Sequence, residues 1–275
     1  MSPDRMRPLQ RLSDAELQPV RGVLTDIDDT LTRDGAIEPA ALQALQALAA
    51  AGLPAIAVTG RPAGWSEPFA VAWPVAAIVA ENGAVMLRRQ GGALQRDFVD
   101  DAATRAAHFE RLQQCAQAVL AMVPGATLAR DSAGRLTDIA IDHSEFVHLD
   151  AAAIDAVLGV MHAHGLRASV SSIHVNGWIG THDKYSGARW AVQQVLGWRF
   201  VPAQWLYVGD SSNDQRMFEG LPLSVAVANI ARFVPQLQVL PAYVTPSERG
   251  LGFAEVVQRL LTAKRSLVQH GRHAG

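Results

Sequence analysis

Apolar runs alternate with amphipathic segments at the start of the chain. Continuous apolar runs predict strands at Val20–Leu24, Leu53–Val58 and Ala76–Ala80. Between the first two, Pro39 suits the first position of a helix and Gly52 suits its end, and leucines recur on one face at Leu42, Leu45 and Leu48. Apolar strands joined by helices are typical of a parallel sheet with helices on both faces, so the pattern predicts an α/β core.

The middle of the chain has a different pattern, in which neighbouring strands follow one another through short turns. Hairpins are predicted around Gly91-Gly92 and around residues 131–134, and helices at Asp101–Met122 and Ala151–His164. Two further strands are predicted at Arg167–Ser172 and Ile173–Ile179. Adjacent antiparallel strands with long helices indicate a separate α+β domain inserted into the first one.

The parallel pattern returns after Asp183, with predicted strands at Gln204–Val208, Leu223–Val227 and Ala242–Val244. Helices are predicted at Tyr185–Leu196 and Ala254–Leu261. We therefore predict a discontinuous core domain (20–84 and 181–264), a cap domain (85–180) and polar terminal extensions (1–19 and 265–275). The C-terminal extension, with His270 and His273, is expected to be frayed.

Composition narrows the classes of function. The 275 residues are 49% hydrophobic and 18% charged, and the formal net charge is −2. A nucleic-acid partner is not expected, because such proteins present a basic face. The single cysteine, Cys115, excludes a disulfide framework. Without an apolar stretch long enough for a membrane span or a signal peptide, a cytoplasmic monomer or homodimer is expected.

Groups of polar residues follow the ends of three predicted strands. They are residues 26–29 (Asp-Ile-Asp-Asp), residues 59–61 (Thr-Gly-Arg) and residues 209–214 (Gly-Asp-Ser-Ser-Asn-Asp). In open α/β sheets, ligands bind beyond the carboxyl ends of the strands. Neighbouring carboxylates repel one another and are costly to desolvate unless a cation compensates them. The first group therefore indicates a divalent metal and a carboxylate available as a nucleophile.

Together with Lys184, these groups resemble the four motifs of the haloacid dehalogenase (HAD) superfamily. The matching residues are Asp26, Asp28, Thr30, Thr59, Gly60, Arg61, Lys184, Gly209, Asp210, Asn213 and Asp214. The insertion before Lys184 resembles the larger α/β cap of Cof-like, IIB-type phosphatases, and residues 81–84 resemble the segment that leads into that cap. The resemblance covers roughly Val20–Leu261 and implies a Rossmann-like parallel-sheet core with an inserted α+β cap.

The resemblance also implies an activity, which is Mg²⁺-dependent hydrolysis of a small-molecule phosphate monoester. The cap type further implies a sugar phosphate. Asp26 would be the nucleophile that forms an aspartyl-phosphate, and Asp28 the general acid/base. The implied Mg²⁺ ligands are an Asp26 carboxylate oxygen, the Asp28 carbonyl, Asp210, and Asp214 directly or through water. Thr59 and Lys184 would hold phosphoryl oxygens, and Asn213 would orient Lys184 or the phosphate.

Lysine usage supports a special role for Lys184. The chain contains only two lysines, Lys184 and Lys264, among many arginines. A compact ammonium group acts as a point charge suited to phosphate.

Candidates for substrate binding are Gly60, Arg61, Asn82, Asn213, His174 and Asn176. Two interpretations stay open for several of them. Arg61 and Asn82 either contact substrate or are loop residues. His174 and Asn176 either form a substrate-reading surface of the cap or belong to an exposed sheet face.

One residue of the first motif departs from the family, because Asp29 stands where Cof-like members often have glycine. It follows the catalytic pair and receives no role. Two rival functions also stay open: a phosphomutase of the same superfamily, and a non-catalytic phosphosugar-binding protein. The pair Asp26 and Asp28 argues against the second rival, since binding alone needs no acid/base carboxylate.

Overall fold

The computed structural model describes residues 6–273, with side chains described up to residue 266. These residues form two compact units. One unit contains the chain up to Val58, Ala72–Ala77 and the chain from Ala188 onward. The other contains Thr59–Val71 and Ile78–Gly187. We call them the first and the second unit.

The strands and helices that the sequence pattern predicts form in the predicted order, with further short elements between them. The strands are β1 (Arg7–Pro8), β2 (Gly22–Thr25), β3 (Thr32–Arg33), β4 (Ala36–Ile37), β5 (Ala55–Val58), β6 (Ala77–Ala80), β7 (Val85–Gln90), β8 (Ala93–Phe98), β9 (Thr127–Leu128), β10 (Asp138–Asp142), β11 (Arg167–Val170), β12 (His174–Trp178), β13 (Trp205–Gly209), β14 (Leu223–Ala226) and β15 (Tyr243–Val244). The helices are α1 (Asp14–Leu17), α2 (Pro39–Ala50), α3 (Ala63–Ala72), α4 (Ala102–Met122), α5 (Ala151–Ala163), α6 (Lys184–Leu196), α7 (Gln215–Gly220) and α8 (Arg249–His273).

The first unit is built on parallel strands in the order β1-β15-β14-β13-β2-β5. Every residue of β2, β5, β13 and β14 is buried, as continuous apolar runs predict for a sheet covered on both faces. Helix α2 begins with Pro39, and Gly52 follows it at a φ of +69°, which confirms the predicted ends. The predicted α/β fold class, a parallel sheet between helices, is confirmed.

The second unit contains a four-stranded antiparallel sheet in the order β11-β12-β10-β9. Helices α4 and α5 pack on it, around a core that includes Leu112, Cys115, Val119, Ile141, Val157, Met161 and Val175. Asp101 and Asp150 cap the two helices by accepting hydrogen bonds from backbone N–H groups. This is the α+β arrangement that the sequence predicts for the insertion.

The predicted hairpin around Gly91-Gly92 forms. Strands β7 and β8 pair antiparallel with each other, and β7 also pairs antiparallel with β6. The hairpin is therefore not part of the four-stranded sheet, which begins at β9. The reason is local, because left-handed backbone at Glu81, Asn82 and Gly83 turns the chain back along β6.

The terminal segments contain more structure than the sequence predicts. In the supposed N-terminal extension, β1 pairs with β15 and Ser13 caps α1 in a capping box. Met1–Arg5 lie outside the described residues. The last helix runs to His273, so the prediction of a frayed tail after Lys264 is wrong for the backbone up to that residue. Side chains beyond residue 266, including His270 and His273, lie outside the description.

Among residues 6–273, no helix is both long and apolar enough to cross a membrane.

Candidate active site

The first motif begins where β2 ends. The Asp26 N–H donates to the carbonyl of Val208 at 2.9 Å, which extends the pairing of β2 with β13 by one residue. The chain then turns, because the Ile27 carbonyl accepts hydrogen bonds from the N–H groups of residues 30, 31 and 32 at 3.2, 2.8 and 3.1 Å. Asp26 is therefore fixed at the carboxyl end of the sheet, with only 4% of its surface exposed. Asp28 lies in the turn and is partly exposed.

The fourth motif forms a tight loop after β13 that is organised by Asp214. One oxygen of its carboxylate, Oδ2, accepts hydrogen bonds from the N–H groups of Asp210 and Ser211 at 2.9 and 3.1 Å. The other oxygen accepts a hydrogen bond from the hydroxyl of Tyr207. A side chain at Gly209 would clash with this carboxylate, which explains the glycine. Asp214 therefore shapes the loop that presents Asp210.

Three carboxylates meet in the first unit. Asp26, Asp210 and Asp214 are all buried and offer oxygens that lie within 4.8 Å of one another. Burial raises the pKa of Asp210 well above its usual range, and the neighbouring Asp26 and Asp214 raise it further. Three buried like charges need a compensating cation.

The environment of the Asp210 carboxylate shows whether a metal ion fits this cluster. Its Oδ1 is buried and has no hydrogen-bond partner among the described residues. A buried carboxylate oxygen without a partner is costly, and a cation removes that cost. The donors are hard oxygens, which Mg²⁺ prefers. The residues present therefore fit Mg²⁺.

Asn229 and Arg232 contact the other oxygen of Asp210. Nδ2 of Asn229 donates to Oδ2 of Asp210 at 2.9 Å and to the carbonyl of Asp29 at 3.0 Å. The Arg232 guanidinium lies 3.5 Å from the same Asp210 oxygen. Sequence reasoning missed both residues. The signal for Asn229 was available, because it follows the predicted strand Leu223–Val227 in the same way that the first, second and fourth motifs follow their strands.

Asp29 has a structural partner on each of its carboxylate oxygens. Oδ1 accepts from Arg249 at 2.8 Å, and Oδ2 accepts from Arg232 at 2.8 Å. Burial raises the pKa of Asp29, but the hydrogen bonds from these arginines outweigh it, so the pKa lies below its usual value. The φ of Asp29 is +53°, in the left-handed region, where glycine is the least strained residue. This geometry accounts for the glycine that the family often has at this position.

The second motif lies in the second unit, against the turn that follows β6. The Thr59 N–H donates to the carbonyl of Val79 at 2.8 Å, and the Asn82 N–H donates to the carbonyl of Thr59 at 3.0 Å. The Thr59 hydroxyl accepts from the N–H of Arg61 at 3.0 Å. Glu81, which is fully buried, accepts hydrogen bonds from the N–H groups of Ala63, Leu136 and Thr137. Thr59 and Asn82 are thus held together.

Lys184 is the first residue of α6, and only 2% of its surface is exposed. The same turn packs against this end of the helix, because a side chain at Gly83 would clash with the Asp183 carbonyl. A side chain at Gly187 would likewise clash with Gly83. Close backbone packing therefore brings the start of α6 beside the turn that holds Asn82. This burial shows that Lys184 is not a solvated lysine of a first helical turn.

Arg61 is buried in a network of charges instead of projecting from a loop. Its Nη2 donates to Oε1 of Glu145 at 2.8 Å, its Nη1 donates to Oδ2 of Asp131 at 3.1 Å, and its guanidinium stacks on Trp65. Oε2 of Glu145 bonds to Nε2 of His174 at 2.9 Å. Only 4% of the surface of Arg61 and 2% of that of His174 is exposed.

Asn82 and Asn176 meet at a second buried carboxylate, that of Asp138. Their amide groups donate to its Oδ2 at 3.3 and 3.4 Å, and Arg135 donates to both of its oxygens at 2.8 and 3.0 Å. Nδ2 of Asn176 and Nη1 of Arg135 also donate to the carbonyl of Gly60, at 3.1 and 3.0 Å. Burial raises the pKa of Asp138 to about 7, although Arg135 opposes the shift.

The predicted substrate-binding residues of the second unit therefore come together. Gly60, Arg61, Asn82, His174 and Asn176 belong to one buried network of hydrogen bonds. The alternative of an exposed sheet face is excluded, because every residue of β12 is buried. In the first unit, Asn213 lies within the fourth-motif loop, where its Oδ1 accepts from the hydroxyl of Ser211 at 2.8 Å. Sequence reasoning missed Asp131, Arg135, Asp138 and Glu145.

One family model matches part of the chain. Residues 23–121 match the family model of haloacid dehalogenase-like hydrolases. No curated protein matches the chain in sequence.

Solved structures match nearly the whole chain in fold. A Thermoplasma acidophilum protein is 17% identical with a TM-score of 0.68, over 88% of this chain and 98% of its own. The sucrose-phosphatase of Synechocystis sp., solved with sucrose and phosphate, is 17% identical with a TM-score of 0.63, over 88% and 98%. A subclass IIB sugar phosphatase of the HAD superfamily is 14% identical with a TM-score of 0.58, over 82% and 94%.

These identities establish the fold alone. The chain therefore has a HAD-like fold, and residues 23–121 match the model of haloacid dehalogenase-like hydrolases.

Proposed function

We propose that this chain is a Mg²⁺-dependent phosphatase that hydrolyses a small phosphate monoester, a sugar phosphate, through an aspartyl-phosphate. The observation that carries the proposal is the cluster of Asp26, Asp210 and Asp214, in which one buried oxygen of Asp210 lacks a partner. A phosphate monoester is dianionic, so its hydrolysis requires a cation, a positioned nucleophile and an acid for the leaving group.

Each residue of the motifs has a role in this proposal. Asp26 attacks phosphorus, and its fixed backbone at the end of β2 supports that role. Asp28 protonates the leaving oxygen and then takes a proton from the hydrolytic water; its partial exposure leaves it accessible for both. The resemblance assigns phosphoryl oxygens to Thr59 and Lys184, and the burial of both side chains supports this.

The metal would be held by Asp26, Asp210 and the carbonyl of Asp28. The Asp214 carboxylate already accepts three hydrogen bonds from its own loop, which favours contact with the metal through water. When bound, Mg²⁺ neutralises charge on the phosphoryl group. The sugar preference is supported by structural neighbours that are sugar phosphatases, such as the sucrose-phosphatase and the subclass IIB enzyme.

A phosphate-release screen tests the proposal. The purified chain is incubated with Mg²⁺ and a panel of sugar and polyol phosphates, and the most active substrate is used for variants. Asp26→Asn should abolish turnover without loss of folding, because the amide cannot act as the nucleophile. Asp34→Asn, an exposed aspartate of the same segment, is the matched control and should keep full activity.

Several outcomes would contradict the proposal. Steady-state hydrolysis by pure Asp26→Asn protein would reject the nucleophile, and activity that survives exhaustive chelation would reject the metal. Phosphoryl transfer to a second sugar without net phosphate release would indicate the rival phosphomutase.

A further inference from the structure

Glu145 presents a fixed carboxylate beside the second motif. Its Oε1 accepts from Arg61 at 2.8 Å, and its Oε2 bonds to His174 at 2.9 Å. Nevertheless, 20% of the Glu145 side chain is exposed, against 4% for that of Arg61 and 2% for that of His174. Of these three groups, the carboxylate is therefore the one that an approaching molecule meets.

The carboxylate is ionised at neutral pH. Burial raises the pKa of Glu145, but the hydrogen bonds from His174 and Arg61 outweigh it and bring the pKa to about 2. An ionised carboxylate accepts hydrogen bonds from hydroxyl groups and repels other anions.

The arginine side chains near Glu145 are already paired with acidic side chains. We call Arg61, Arg135, Glu81, Asp131, Asp138 and Glu145 the Arg61 cluster. It has two guanidinium groups and four carboxylates. Arg61 faces Glu145 and Asp131, and Arg135 faces Asp131 and Asp138. Asp138, with its pKa raised to about 7, carries only part of a negative charge at neutral pH. The two guanidinium groups are therefore matched within the cluster and offer no excess positive charge to an anionic ligand.

The position of Glu145 connects it to the reaction. Arg61 directly follows Thr59 and Gly60, the motif to which the proposed function assigns phosphoryl binding. One side-chain contact thus separates that motif from Glu145. A group that lies one side-chain contact away from the phosphoryl-binding motif suits the alcohol part of a phosphate ester, since the alcohol extends away from the phosphoryl group.

We propose that Glu145, held by Arg61 and His174, determines specificity by accepting hydrogen bonds from hydroxyl groups of the leaving alcohol and by rejecting alcohols with a second negative charge. This inference rests on the proposed function, because it concerns the ester that the phosphatase hydrolyses. It narrows the substrate class to phosphate esters of neutral sugars or polyols. Repulsion of this kind is a common source of specificity.

Two matched substrates test the inference. Sorbitol 6-phosphate and 6-phosphogluconate are open-chain hexose derivatives that differ in carbon 1, which is a CH2OH group in the first and a carboxylate in the second. For the unmodified protein, kcat/KM should favour sorbitol 6-phosphate by about tenfold or more, since a like charge beside Glu145 is unfavourable.

Substitutions of Glu145 separate its charge from its size. Glu145→Gln keeps the shape but removes the charge, and should reduce the preference by about tenfold, mainly by raising kcat/KM for 6-phosphogluconate. Glu145→Asp keeps the charge and should keep most of the preference. Glu110→Gln, at an exposed position of α4, is the matched control and should change nothing.

A third substrate distinguishes the failure of this inference from that of the proposed function. p-Nitrophenyl phosphate has neither hydroxyl groups nor a second charge on its alcohol, so Glu145→Gln should hydrolyse it at the unmodified rate. That rate also shows that the variant is folded. Equal kcat/KM for the two matched substrates, or an unchanged preference in Glu145→Gln, would overturn the inference alone. Absence of hydrolysis of all three esters would overturn the proposed function and this inference with it.

Discussion

Asn229 holds one oxygen of Asp210 and leaves the other without a partner. Its amide donates to Oδ2 of Asp210 at 2.9 Å, while Oδ1 has no hydrogen-bond partner among the described residues. The side-chain Oδ1 of Asn229 in turn accepts from the N–H of Arg249 at 3.1 Å, so the side-chain amide cannot rotate freely. Asn229 thereby selects which oxygen of Asp210 is available to a cation.

We expect Asn229→Ala to weaken Mg²⁺ binding by about 10- to 100-fold, as is usual when a hydrogen bond to a metal ligand is lost. The reason is that the Asp210 carboxylate loses the contact that fixes its orientation. Titration calorimetry with Mg²⁺ alone measures the affinity without reference to catalysis. Thermal unfolding in the absence of metal would show whether the variant is folded.

Gln236→Ala provides a control for this substitution. Gln236 is exposed and follows Asn229 closely in the chain, so its removal should leave the Mg²⁺ affinity unchanged. Equal affinities for Asn229→Ala and the unmodified protein would exclude a role for Asn229 in metal binding.

Two substitutions of Asp29 separate the contribution of its ion pairs to stability from that of its backbone strain. Asp29→Ala and Asp29→Gly both lose the contacts with Arg232 and Arg249. Only glycine adopts the φ of +53° without strain, so the alanine variant should be less stable than the glycine variant by about 1 kcal/mol. Chemical denaturation measures both free energies of unfolding.

Asp34 supplies the comparison for the backbone contribution. Its φ is +52° and it is exposed. The difference between Asp34→Ala and Asp34→Gly should therefore resemble that at Asp29. If Asp29→Gly is as stable as the unmodified protein, the two ion pairs contribute only as much stability as glycine gains by relieving the strain, which Asp34→Gly measures.

Three of the four motifs could be located from the sequence because each follows a continuous apolar run. Buried parallel strands have such runs, and their carboxyl ends lie along one edge of the sheet. This reasoning places Asp26 and Asp210 near each other, and the first unit brings them together. It also predicts Gly52 at the end of a helix, because a left-handed residue there favours glycine.

Apart from Asn229, which follows a predicted strand, the missed residues contribute through side-chain contacts that no local pattern records. Glu145 meets Arg61 across 84 positions of sequence, and Arg232 meets Asp29 across 203. A salt bridge of this kind depends on packing, so neither partner carries a signal by itself. The pairing of the hairpin strand β7 with β6 was not predicted, for a similar reason. An apolar strand pattern shows that a strand forms, but it does not show which neighbour the strand pairs with.

Asp138 should make stability depend on pH between about pH 4 and about pH 7. Burial raises its pKa from about 3.8 to about 7 in the folded chain. Within this range the folded state binds a proton that the unfolded state has released, so the free energy of unfolding falls as the pH rises. The Asp138→Asn variant cannot bind this proton, whereas all other titratable groups are the same in the variant and in the unmodified protein. The stability of the unmodified protein relative to Asp138→Asn should therefore fall as the pH rises, as measured by denaturation at several pH values. A constant difference would contradict the raised pKa.

Cys115 should report the opening of the α4 and α5 core. It is fully buried in that core, and burial raises the pKa of its thiol to about 11, so the folded chain contains almost no reactive thiolate at pH 8. A thiol reagent such as dithionitrobenzoate should therefore react slowly with the folded chain and rapidly in denaturant, with one equivalent because the chain has one cysteine.

A cavity in the same core should accelerate this reaction. Val157 is fully buried there, and Val157→Ala should cost about 2 kcal/mol, which corresponds to roughly 30-fold faster labelling if the thiol reacts only after the core opens. Val99→Ala removes the same atoms from a residue that is 48% exposed and should leave the labelling rate unchanged. A cavity at Val157 promotes only those openings that disrupt the packing of Val157. Equal labelling rates for the two variants would therefore mean that Cys115 becomes accessible through a local movement that leaves this packing intact.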